Sequence, residues 1–242
     1  MKTLFISIIS FFLFFFSSPK SLHNNIDFSR KNPDSTLISI PFPIKFGKVS
    51  DEYFLEKSTK VDSFYNAFIG TAGFSGSFVV AKNGKIISEK YQGFANQRTK
   101  ELITANTPLH LASVSKVLTA TAILKLVEND NIMLDQKVTD WLPSFPYKST
   151  TIRTLLNHRS GLQHYSRFPA LLKTGWNKKK ILTNQDVLDL MAKHKFRLLT
   201  PHDTRFDYCN TNYIILALII EKATGLKYEK AMSELIFKPL GM

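Results

Sequence analysis

Apolar residues recur at helical spacing over HLASVSKVLTATAILKLVEND, where Leu118, Ala122, Ile123, Leu126 and Val127 share a face. Asn129, Asp130 and Asn131 supply the stop. Residues 211–223 form a second apolar run that ends at Gly225, and residues 228–237 a last one. Shorter helical patterns occupy residues 185–193 and TIRTLLNHRSGL, the latter stopped by Gly161. Residues 52–68 also read as a helix, with Phe54, Leu55, Val61, Phe64 and Phe68 roughly on one side. Strand character is confined to GFSGSFVVAKNGKIISEKYQGFAN, where two β-rich runs flank Asn83-Gly84, a hairpin signal. LDQKVTDWLPSFP is turn-rich, and residues 162–200 are otherwise mixed. Two strands alone are marginal in water. The pattern therefore predicts either an α+β fold lacking its other strands or a small ribbon on a helical body.

The first residues stand apart. Lys2, an uncharged run from Leu4 to Phe16, and then Ser17 and Ser18 have the layout of a secretory signal over residues 1–21. The run is shorter than the ~20 residues a bilayer span needs, and no second such run follows. The expectation is an exported protein, periplasmic or extracellular, with no stable span once the signal is removed; a retained anchor is the alternative. Residues 22–50, with Pro33, Pro41 and Pro43, read as an extended lead-in to a domain over residues 51–242.

Charge changes this picture little. The formal net charge of +13 over 242 residues suggests a polyanion partner. However, the basic residues are scattered, and Lys178–Lys180 is the only run of three. No basic-and-aromatic arrangement for stacking bases is visible, so nucleic-acid binding is not expected. Cys209 is the only cysteine, which excludes an internal disulfide. Neither His-Glu-x-x-His nor paired cysteines occur, and His158 and His164 lack a metal-ligand pattern. No metal or organic cofactor is implied. His158 reads as structural within the turn before Gly161.

Two serines and a lysine open the helix near residue 115. Either serine is a normal N-cap, and Lys116 then simply reaches for water. Yet a cation in the first turn opposes the helix dipole. Ser113 and Lys116 lie about one turn apart on one face, whereas Ser115 points elsewhere. Burial and the dipole push such a lysine toward its neutral form, and to act as a base near pH 7 it must lose about 4 kcal/mol of proton affinity. A neutral lysine beside a serine hydroxyl makes an activated nucleophile. The spacing is not specific, because Ser17 and Lys20 match it too.

Wider blocks supply the context. NTPLHLASVSK, LDQKVTDWLP, TIRTLLNHRSGL, FDYCNTNYIILALIIEKATG and FKPLGM, in that order, resemble the β-lactamase-related serine hydrolases. That penicillin-recognising group includes class C β-lactamases, DD-peptidases, D-amino peptidases and carboxylesterases. GFSGSFVVAKNGKII is similar to its opening strands, and the resemblance covers roughly residues 55–242. It implies an α+β, β-lactamase/transpeptidase-like fold, of which only the N-terminal hairpin of the sheet is present. It implies that Ser113 is the acylated nucleophile and that Lys116 takes its proton. Within the Tyr-x-Asn motif it makes Tyr208 a second acid or base and Asn210 an amide contact to substrate. The implied substrate is an ester, a D-amino-acid peptide or a β-lactam, with cell-wall peptide among the peptides. Cys209 occupies the motif's variable position, as a buried inert thiol rather than a rival nucleophile.

The third motif of the group, Lys-Thr-Gly on a later strand, has no match after Asn210. Lys173-Thr174-Gly175 precedes Tyr208 and is out of order. Loss of one oxyanion donor is worth ~3–4 kcal/mol. Without partner strands the hairpin is expected to keep an open edge and an exposed apolar face. The chain reads as cut after KPLGM. Two rival functions follow: an inactive penicillin-fold remnant or peptide-binding protein, and a basic module for anionic polymers.

Overall fold

The structure, a computed structural model, describes residues 46–71, 73–172 and 181–242. The signal, most of the lead-in, Lys173-Thr174-Gly175 and Lys178–Lys180 lie outside the described residues.

Helix α1 (Asp51–Phe64) starts at Ser50, whose side chain accepts the Tyr53 N–H, and runs on into a π-helical turn over Tyr65–Ile69. Strands β1 (Gly76–Lys82) and β2 (Lys85–Gln92) pair antiparallel. Asn83 and Gly84 both have positive φ, 50° and 76°, the geometry a tight two-residue turn demands. A short second pair, β3 (Phe94–Asn96) with β4 (Glu101–Leu102), was not expected from the sequence. Its two-residue strand is too short for a period to register.

The remaining elements are helical. Helix α2 (Ser115–Glu128) is followed by α3 (Val138–Trp141), a single turn within the stretch expected to be turn-rich. Helix α4 (Ile152–Leu156) then ends earlier than Gly161, because His158 already adopts φ 58°. A single turn, α5 (Phe168–Leu171), precedes α6 (Asn184–His194), where Thr183 and Asp186 form a capping box. Helix α7 (Asn210–Thr224) stops at Gly225, with φ 68°, as its sequence requires. The last segment is helical but not one α-helix: α8 (Tyr228–Met232) loosens into a π turn over Ser233–Phe237.

Helix α7 is the axis of the core, with α2, α3, α4, α6 and α8 packed against it. Ile215, Leu216, Ile219 and Ile220 are completely buried, and Ala217 and Leu218 on the opposite side nearly so, so the middle of the helix is apolar all round. Each such side chain contributes roughly 2 kcal/mol on burial, more than the ~1 kcal/mol of a good cap. Burial, not capping, holds α7.

Helix α1 departs from its expected face. Leu55 and Phe68 are each 69% exposed, and Phe64 is half exposed. The buried residue is Tyr65, whose hydroxyl donates to Gln92 Oε1 at 2.7 Å and whose ring lies 5.2 Å from that of Phe78. Asp62 accepts from Ser88 Oγ at 2.7 Å and pairs with Lys90 at 3.0 Å. These polar ties to β2 select the side of α1 that faces the hairpin. Val79 and Ile86 of the hairpin remain about half exposed, the open apolar face the sequence led us to expect. The architecture is α+β. Among the described residues no helix is long and apolar enough to cross a membrane.

Candidate active site

Ser113 lies in a 3₁₀ turn, Ala112–Val114, that leads directly into α2. Neither serine caps the helix: the N-cap is Val114, and the Ser115 hydroxyl donates to the Ala112 carbonyl at 2.7 Å. Ala112 has φ 46°, a left-handed conformation costing an L-residue roughly 1–2 kcal/mol. Strain of this kind is stored immediately before the candidate nucleophile.

Lys116, in the first turn of α2, points its Nζ at Ser113 Oγ from 3.2 Å. The same ammonium lies 5.1 Å from the ring centroid of Tyr208 and 5.7 Å from that of Tyr213. Tyr208, two residues before α7, brings its hydroxyl to 2.5 Å from Ser113 Oγ. Thus three of the four residues singled out by sequence share one hydrogen-bonded cluster. The Lys116 ammonium and then the Ser113 hydrogen bond hold the Tyr208 phenol below the usual tyrosine range. Asn210 opens α7 and is not tied to the cluster by a hydrogen bond; its Oδ1 is buried with no partner.

A second segment, expected from the sequence to be a structural turn, packs against Tyr208. His158 is buried, and its ring lies 4.6 Å from that of Tyr208 and 5.2 Å from that of Tyr213. Its Nδ1 accepts from the Cys209 backbone N–H and from the Asn212 amide, both at 3.1 Å. The proton is therefore assigned to Nε2. Burial, and then the Lys116 charge, lower the pKa of His158. Ser160 Oγ donates to Asn212 Oδ1 at 2.6 Å, and His164 Nε2 donates to the Tyr208 carbonyl at 2.7 Å. Thr211 Oγ1 donates to the Gln163 carbonyl at 2.7 Å. The available signal was the polar quartet Asn157-His158-Arg159-Ser160 between apolar pairs. Only the fold reveals what it binds.

Gly161 has φ 74°, and a Cβ there would lie 2.2 Å from the Thr200 carbonyl oxygen. Cys209 is buried, and that burial pushes its thiol up, away from the nucleophilic form. Among the described residues no group of three or more His, Cys, Asp and Glu side chains converges as a metal site would require.

Penicillin-binding protein 4* of Bacillus subtilis is 37% identical over 169 residues, covering 70% of this chain and 37% of that protein. A D-aminopeptidase of Brucella anthropi is 32% identical over 170 residues, covering 70% of this chain and 32% of its own length. The chain thus spans about a third of the length of these relatives. The crystal structure of a penicillin-binding protein from Bacillus halodurans superposes with a TM-score of 0.60 at 26% identity, covering 81% of this chain and 55% of that one. Residues 63–242 match the family described as Beta-lactamase, and the chain, with its serine, lysine and tyrosine drawn into one cluster, belongs to that family.

Proposed function

We propose that the protein is a serine hydrolase that forms an acyl-enzyme on Ser113 with a peptide or amide carbonyl. The observation that carries this reading is a single hydroxyl, Ser113 Oγ, held between Tyr208 OH at 2.5 Å and Lys116 Nζ at 3.2 Å. Tyr208, as its phenolate, takes the serine proton as the Oγ–carbon bond forms, the part expected of Lys116 from the sequence; its lowered proton affinity favours that form, and Lys116 Nζ donates to Ser113 Oγ instead. Lys116 stabilises the phenolate before that transfer. The phenol then returns the proton to the leaving amine, and its phenolate activates water for deacylation. Asn210, the first residue of α7, supplies a side-chain amide to the substrate.

The relatives named as a penicillin-binding protein and a D-aminopeptidase support peptides with a D-residue at the acyl side. The signal-like N-terminus supports export, to where cell-wall peptide is met. The test is intact mass after exposure to a D-alanyl amide, a penicillin and an activated ester, with Ser113→Ala as control. One acyl unit mapping to Ser113 and absent from the variant is the expected result. No adduct from any of the three reagents would instead support peptide binding without turnover.

A further inference from the structure

We propose that His158 is a positioning residue for Tyr208, its Nδ1 gripping the chain on either side of α7's first residue so that the phenol stays on Ser113. This rests on the reading of Ser113 as the group acylated.

Three observations converge on this imidazole. Its Nδ1 is the shared acceptor for the Cys209 N–H, adjacent to Tyr208, and for the Asn212 amide, one turn further on. Its ring lies tilted against the Tyr208 ring at 4.6 Å, filling the space into which the phenol would otherwise swing. Its own backbone is fixed in turn, because the Asp207 N–H donates to the His158 carbonyl at 2.8 Å. Residues 207, 208 and 209 are therefore met by one residue at a carbonyl, a ring face and a ring nitrogen.

The geometry also explains why histidine suits the position. The Cys209 N–H lies just ahead of α7 and has no carbonyl one turn back to receive it. An acceptor must come from outside the helix, and it must carry a flat face. Asn212 cannot turn its amide to help, since its Oδ1 already accepts from Ser160 Oγ at 2.6 Å. The left-handed backbone at His158, φ 58°, further narrows the choice to residues that tolerate it, with Asn and His among those enriched there. Asparagine places an oxygen close to where Nδ1 stands, but brings no ring.

The experiment compares His158→Ala and His158→Asn with the wild-type chain. The first readout is the ¹³Cζ titration of Tyr208, its resonance assigned with Tyr208→Phe. The second is the rate at which an activated ester acylates Ser113. In the wild type, Tyr208 should titrate below the ordinary ~10. In His158→Ala it should return toward that value, with acylation slowed about a hundredfold, the scale of a 1 Å misplacement. His158→Asn, which restores the acceptor but not the ring, should recover part of both. Unchanged Tyr208 titration in His158→Ala overturns the proposal, as does a folded His158→Asn that behaves like His158→Ala. If the alanine variant fails to fold, the ¹⁵N shifts of wild-type His158 decide: a protonated Nδ1 at neutral pH is incompatible with the bracket. A wild-type chain that takes no acyl group sinks the hydrolase reading alone, and the Tyr208 titration still decides the role of His158.

Discussion

Ser113 and Tyr208, 95 residues apart in sequence, meet hydroxyl to hydroxyl at 2.5 Å. Two elements make that meeting: the 3₁₀ turn that opens α2 and the strap that precedes α7. Packing of α2 on α7 brings the two helices together, and the bonds from residues 158–164 set the strap.

Tyr208→Phe removes the hydroxyl and leaves the ring. Acylation of Ser113 should slow by ~10²–10⁴, the usual weight of general acid–base catalysis. Stability should change little, because Tyr208 is 40% exposed and its ring still packs on His158. Stopped-flow acylation together with urea denaturation separates the two effects.

The pH dependence follows from the phenol. Lys116 and Ser113 lower its pKa, so the basic form persists below the ordinary tyrosine range. The acylation rate should rise with pH and level off before pH ~10. Lys116→Met should push that inflection upward, with the rate below it reduced. An inflection that does not move would separate Lys116 from the phenol's titration.

Gly161→Ala should destabilise the fold strongly. A left-handed φ costs an alanine ~1–2 kcal/mol, and pressing a methyl against the Thr200 carbonyl adds ~1–3 kcal/mol. A loss of about 2–5 kcal/mol should appear as a lower urea midpoint with an unchanged slope.

Mild acid should weaken the protein through His158. Its folded pKa lies below the ordinary ~6.5, so the unfolded chain binds the proton more readily. The stabilisation is fully present above pH ~6.5 and is lost as pH falls through the folded value. Lys116, His164, Tyr208, Tyr213, Asp207 and Cys209 face or flank this ring, and none of them supplies a carboxylate directly against it. His202, whose pKa is also lowered chiefly by its own burial, acts in the same direction. The comparison is therefore with His158→Asn, whose urea stability should fall less between pH 7 and pH 5.

Local physics made half of this molecule legible. The Asn83-Gly84 turn, the stop at Gly225, the apolar stripe of α2 and the all-round apolarity of α7 depend on residues within a turn or two of one another. So does the approach of Lys116 to Ser113, three positions along one helix start. Spacing alone encodes such features, because helix and hairpin geometry are fixed by the backbone.

The fold decided the rest. The stripe on α1 was visible in sequence, but polar ties from Asp62 and Tyr65 turned the helix so that Leu55 and Phe68 face outward. Tyr208 was identified by its motif, whereas its contact with Ser113 depends on which loops the core brings together. His158 was visible only as part of the block TIRTLLNHRSGL and its turn, because its role consists of hydrogen bonds to a backbone N–H and an amide about fifty residues away. Periodicity records which face of an element is buried; it carries no record of which distant polar group will meet a given acceptor. That pairing is set only when packing around α7 leaves the Cys209 N–H and the Asn212 amide, both buried, with one nitrogen within reach.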